Sequence, residues 1–283
     1  MKYFSVLLFC FAAIAARAQA GGNSAGWVSA HEAIVAEARA SQPGWASPLA
    51  SENLRLNQGI RYDAVRQSIP NGSRAWFLGA PVSVSTIPFA KVEVDFVPPA
   101  RVWNNNPAVK DGANDLAFAA KYRFLSANEK HGNYVASAWL IGTVPTGSYN
   151  NGLGNATLTP GFGFGKGYGH FAAQTTLAST LPLGNQAAVI TGRPVMWNTL
   201  VQYRFAHYIV PQLEDDWTVF KDGTIDGLVQ NFVTPGLWLG GIPLHRKTSH
   251  SARAFAVGVA MQVATSQRAT YNHGLVLTGR FLF

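Results

Sequence analysis

The chain has 283 residues, with 28 glycines, 12 % aromatic side chains and only 13 % charged ones. Soluble domains carry roughly 25 % charge, so an ordinary soluble domain is disfavoured. The net charge of +8 is too small and too scattered for a nucleic-acid partner.

The first residues are Met1-Lys2, then an apolar run over 3–16, then Ala18-Gln19-Ala20. A positive start, an apolar core and a small-x-small site read as a signal peptide over 1–20, cut after Ala20. The run is too short to span a bilayer. Cys10 follows Phe9 and is no lipoprotein cysteine. It leaves with the leader, so disulfides and thiolate metal sites are excluded. Losing Lys2 and Arg17 takes the charge from +8 to +6. That balance suits an anionic lipopolysaccharide surface or an anionic solute.

Residues 21–50 form an N-terminal periplasmic segment. Residues 21–26 are a flexible lead. Val28, Ile34, Val35 and Ala38 then fall near helical spacing, predicting a short helix over 27–40. Ser29 is its N-cap, Glu32 completes a capping box, and Pro43-Gly44 ends it. The helix either rests loosely in the periplasm, the simpler reading, or enters the barrel.

From Ser51 the period becomes two. Asn53, Arg55, Asn57, Arg61 and Asp63 alternate with Leu54, Leu56, Ile60 and Tyr62. Strands follow over 74–86, ended by an Ile87-Pro88 turn, and over 91–96. A long loop spans 98–112, then strands cover 114–125 and 133–144. After the Gly- and Asn-rich loop 145–156 comes a hairpin, 157–165 and 169–181, turning at Lys166-Gly167. Strands over 194–206, 210–221, 228–242, 252–265 and 273–283 complete about twelve. An even number returns both ends to the periplasm. The connection over 243–251 is the weakest point of this count. The expected fold is all-β: one closed antiparallel transmembrane barrel over 51–283.

In such a barrel the polar face lines the lumen, because a charge facing hydrocarbon costs about 2–4 kcal/mol at the midplane. The lumen candidates are Arg55, Arg61, Lys91, Glu93, Asp95, Lys121, Arg123, Arg204, Glu214 and Asp216. They either pair and brace the wall or select small solutes. Trp76, Tyr122, Tyr134, Trp197, Tyr203, Trp217 and Trp238 are candidates for the interfacial girdles. The last strand carries Leu275, Leu277, Gly279, Phe281 and Phe283 on one face. An open apolar edge would be a pairing hazard, so this strand closes on the first one. Phe283 is the expected signal for the barrel-assembly machinery.

Asn114-Asp115-Leu-Ala-Phe-Ala-Ala-Lys121-Tyr122-Arg123-Phe124, Thr143-Val-Pro145-Thr146-Gly147 and Leu158-Thr-Pro160-Gly161-Phe162-Gly163 resemble the family named for the MetA pathway of phenol degradation. So do Gln202-Tyr203-Arg204 and Thr234-Pro235-Gly236. The resemblance runs over 51–283 and leaves out the helix. It implies a bacterial outer-membrane transporter of small, often aromatic or hydrophobic compounds, with no catalytic residues.

An outer-membrane phospholipase would need Ser and His on the lipid side. Most of the seven histidines fall in turns or loops, HExxH and P-loop motifs are missing, and the GxSxG string at 22–26 sits in the flexible lead rather than after a strand. No enzyme, cofactor or metal is therefore expected. A structural or adhesive barrel is the serious rival, although only 98–112 and 145–156 approach the long external loops it needs. The expected partners are lipid, lipopolysaccharide and small-molecule cargo.

Overall fold

A computed structural model describes residues 24–149, 151–184, 192–206, 208–244 and 253–283. The leader and most of the 243–251 connection lie outside these residues. Twelve wall strands form the barrel. They are β1 Gly59–Ser68, β2 Arg74–Phe89, β3 Val92–Val97, β4 Leu116–Ala127, β5 Tyr134–Val144 and β6 Thr157–Tyr168. Then come β7 Phe171–Ser179, β8 Arg193–Tyr203, β9 Ile209–Lys221, β10 Val229–Pro243, β11 Ala254–Ala264 and β12 His273–Leu282. Each pairs antiparallel with its chain neighbours. β12 closes on β1 from Gly59↔Leu282 to Ser68↔His273.

Three short segments extend this wall. Pro98 and Pro99 supply no N–H and interrupt β3, after which Arg101–Asn104 resumes the same path along β2. Gly112–Ala113 pairs with it and leads into β4. Much of the loop expected over 98–112 is therefore wall. Leu181–Pro182 likewise continues β7 beside β6. Two turns also move. β2 runs through Ile87-Pro88 to Phe89, and β6 runs through Lys166-Gly167 to Tyr168. Lys166 pairs with Tyr134 on one side and Ala173 on the other, which outweighs the local turn chemistry, whereas Ile87-Pro88 form an irregularity between Thr86↔Val94 and Phe89↔Val92.

The alternation shows clearly in β4, where Lys121 is 3 % exposed and Tyr122 is 51 %. Outward positions carry Ile60, Phe162, Phe164, Trp197, Leu213 and Leu277, all exposed. An apolar surface this continuous is far beyond the patch of a soluble monomer. Trp197, Tyr203, Trp217 and Tyr122 are exposed on it, and Trp76 is half-buried beside Arg66. Trp238 is a correction. It is 2 % exposed and packs inside against Leu49, Val210 and Val276, because Leu49 supplies an apolar partner within the lumen.

The helix α1 spans Ser24–Ala40, longer than expected. Ser29 is no N-cap: its hydroxyl donates back to the Gly26 carbonyl at 3.0 Å from within the helix. No helix is long and apolar enough to cross a membrane among the described residues. Val35 and Ala38 pack against Leu56 and Ile87, so α1 is seated on the barrel end that holds the termini. Arg39 donates to the Phe283 carbonyl at 2.8 Å, and burial holds its guanidinium below the ordinary range.

Candidate functional site: a strap inside the lumen

Wall strand β1 begins at Gly59. Residues 41–58 instead thread the lumen as an extended strap. Four apolar side chains anchor it. Trp45 and Leu54 pack with Val135, Trp139 and Ala172. Leu49 enters the Trp238 cluster, and Leu56 joins the helix cluster.

Glycines make the room. β6 alternates Gly161, Gly163, Gly165 and Gly167 inward with Phe162, Phe164 and Tyr168 exposed outward. A Cβ on Gly163 would stand 2.7 Å from Leu54, and one on Gly165 2.7 Å from Trp45. A Cβ on Gly236 or Gly258 would strike Leu49. Real side chains do not tolerate such approaches in a packed interior.

The strap carries backbone groups that must be satisfied away from water, and the wall satisfies them. Glu214 accepts the N–H groups of Leu49 (2.6 Å), Ala50 (3.0 Å) and Ser51 (2.7 Å) and the Ser51 hydroxyl (2.6 Å). Four donors to one carboxylate give strong, charge-assisted bonds. The strap carbonyls are taken by Gln202 at Ala46, Gln212 at Ser47, Arg280 at Pro48, Arg61 at Leu49, Gln174 at Glu52 and Ser137 at Leu54.

Lys121 bridges strap and wall, 3.0 Å from Glu52 and 2.9 Å from Glu93. Glu93 also accepts the Asn57 N–H. Arg123 donates to the Ala38 carbonyl and Gln42 Oε1, both at 2.7 Å, and to Ser41 Oγ at 2.8 Å. Arg61 lies 2.5 Å from Asp63, which also receives the Thr278 hydroxyl. Asp95 is buried beside Glu93, with Oδ1 unpartnered. Asp216 makes one long contact, 3.5 Å from Thr234.

Three lumen candidates sit elsewhere than on the inner wall. Arg55 belongs to the strap and donates to the Pro43 carbonyl and Ser47 hydroxyl. Lys91 is exposed in the β2–β3 turn, because β2 continues to Phe89. Arg204 follows the end of β8 at the mouth and reaches the Gly44 carbonyl at 2.7 Å. Phe283 lies just past β12, its ring 5.6 Å from that of Phe281. The sequence reading missed Trp45, Leu49 and Leu54 as lumen residues. The alternating glycines of β6 are the signal that calls for large inner partners.

Two cavities flank the strap. One, of about 230 Å³, lies against β1–β4 and is lined by Glu52, Arg61, Glu93, Asp95 and Lys121. The other, of about 330 Å³, opens at the terminal end. Among the described residues no His, Cys, Asp or Glu cluster is arranged to hold a metal ion.

No family model and no curated protein matches the sequence. Solved structures do. The crystal structure of an outer-membrane channel from Pseudomonas putida F1 is 16 % identical and covers 84 % of this chain and 100 % of its own, at a TM-score of 0.53. The KdgM porin in complex with disordered oligogalacturonate is 12 % identical and covers 80 % and 99 %, at 0.46, too low to weigh. The first likeness, together with strand count, closure and the apolar outer face, gives this chain the fold of an outer-membrane barrel.

Proposed function

We propose that the protein is a passive outer-membrane channel for small organic molecules, of the kind the MetA-pathway resemblance implies. The N-terminal strap occupies its path. The observation that carries this reading is how the lumen is filled. A barrel that only braces itself fills its interior with wall side chains meeting one another, as about eight strands allow. Here Glu214, Gln202, Gln212, Ser137 and Arg280 all meet the backbone of one terminal segment. That segment can leave as a unit, and the charged wall it uncovers suits polar solutes. The apolar belt and the likeness to an outer-membrane channel support the location, and lipid, lipopolysaccharide and the assembly machinery reading Phe283 go with it.

The number of bonds to the strap favours a second reading, a structural barrel held shut. Planar-bilayer recording and liposome swelling with the refolded full chain separate the two. Single-channel steps, and faster swelling than empty liposomes with a small aromatic solute, are expected of the channel. Silence in both assays, persisting when the strap is loosened as described below, leaves the structural barrel.

A further inference from the structure

The cavity at the terminal end gathers three guanidinium groups, those of Arg55, Arg204 and Arg280, around about 330 Å³. None has a carboxylate within 4.0 Å among the described residues. Their acceptors are neutral: the Pro43 carbonyl and Ser47 hydroxyl for Arg55, the Gly44 carbonyl for Arg204, the Pro48 carbonyl for Arg280. The Arg280 guanidinium also lies over the Trp238 ring, 4.9 Å from its centroid. The one acid in the lining, Glu129, is engaged by the Gly44 N–H at 2.6 Å. Nε of Arg55, Nε of Arg280 and Nε1 of Trp238 are all buried donors without a partner. The three side chains all line this cavity, with these nitrogens covered behind its surface. Ser47 and Tyr208 add hydroxyls to the lining, and the rest is apolar, with Val210, Ala256, Leu282 and the edges of Trp45 and Trp238.

We infer that this cavity is a binding site for a small monocarboxylate with an apolar, ring-sized body. The three cations exceed the one acid by two. Guanidinium forks match a planar carboxylate in a way no neutral group does. The apolar part of the lining takes the organic body, and the volume lies at the lower end of the roughly 300–1,000 Å³ of ligand pockets. Inorganic phosphate has no apolar part and would leave that wall unused. The site deepens the channel reading and rests on it for its purpose, placing an anion-selecting station at the mouth that holds the termini.

The test is calorimetric titration of the detergent-solubilised full chain with benzoate, benzyl alcohol and inorganic phosphate. Heat-modifiable migration on a gel checks that each variant is folded. Benzoate is expected to bind at least about tenfold tighter than the other two, a difference near 1.4 kcal/mol. Arg204→Gln and Arg280→Gln should each weaken benzoate about tenfold. Glu129→Gln keeps the acceptor for Gly44 but removes the opposing charge, so it should strengthen benzoate severalfold and leave benzyl alcohol unchanged. A purely structural cluster would not give these opposite signs. Should Arg280→Gln fail to fold, Arg204→Gln and Glu129→Gln decide. The inference is overturned if benzoate binds no tighter than benzyl alcohol or phosphate, or if charge removal at 204 and 129 leaves its affinity unchanged. Conductance without benzoate binding sinks the site alone, while binding without conductance sinks the channel alone.

Discussion

Ser51 gives Glu214 two hydrogen bonds, one from its N–H at 2.7 Å and one from its hydroxyl at 2.6 Å. With the N–H groups of Leu49 and Ala50 on the other oxygen, the carboxylate holds the bend of the strap at 49–51. No described cation pairs with Glu214. Its charge is held by strap donors, so the buried carboxylate and the seated strap depend on one another.

Glu214→Gln therefore places an amide NH₂ against donors and removes the charge that strengthens the rest. The expected loss is about 2–4 kcal/mol, from one clashing donor and weakened charge-assisted bonds. Urea titration followed by heat-modifiable migration reads the stability. The same variant should raise single-channel conductance if the strap blocks the path. Unchanged stability would show that Glu214 does not hold it.

The barrel was legible in the sequence because register leaves no freedom: a one-residue slip reverses every side chain. Period two alone separates Lys121 from Tyr122 and Arg280 from Leu277, and the members of each pair differ in burial in the same way. The strap was not legible for the same reason. Asn53, Arg55 and Asn57 alternate with Leu54 and Leu56 as a wall strand would, yet these residues pair with no neighbouring strand. An extended segment inside a polar lumen meets two chemistries just as a wall strand does, with clusters around Leu54 and Leu56 on one side and Lys121 and Glu93 on the other. Only the glycines of β6, read as empty positions needing large partners, point to it.

Those glycines give a second test. Gly165→Leu puts a side chain where Trp45 lies, and overpacking of this kind costs about 1–3 kcal/mol. The strap should yield before the wall, so limited proteolysis of detergent-solubilised protein should cut within 41–58 faster than in wild type. Gly279 is the control, since a Cβ there meets nothing within 4 Å. Gly279→Ala should leave cleavage and stability unchanged. Equal cleavage of the Gly165→Leu variant and the wild type would mean that β6 does not shape the strap's bed.

Orientation of the wall can be checked by single cysteines in the leaderless chain, which otherwise has none. In proteoliposomes, a maleimide dissolved in the lipid should label Tyr122→Cys and spare Lys121→Cys. The reverse pattern would place the charged face of β4 against hydrocarbon, where each cation costs about 2–4 kcal/mol, and would overturn the assignment of lumen and lipid faces.

The Lys121 contacts decide whether the lumen charges brace or select. Lys121 is buried between Glu93 at 2.9 Å and Glu52 at 3.0 Å, with Asp95 on the Glu93 face of β3. Lys121→Met leaves these carboxylates uncompensated, and breaking a buried pair costs about 3–5 kcal/mol. Glu93→Gln alone keeps an acceptor for the Asn57 N–H and leaves Lys121 its partner Glu52, so its cost should be smaller, about 1–2 kcal/mol. In the double variant the repulsion that makes Lys121→Met so damaging is reduced. Its total loss should fall below the sum of the two by about 1–3 kcal/mol, the range for groups in direct contact. Urea unfolding of the four proteins closes this cycle. A coupling energy near zero would mean that the cluster is solvated and open to solutes rather than bonded. The ion preference in bilayer recordings should then shift toward cations in Lys121→Met and toward anions in Glu93→Gln.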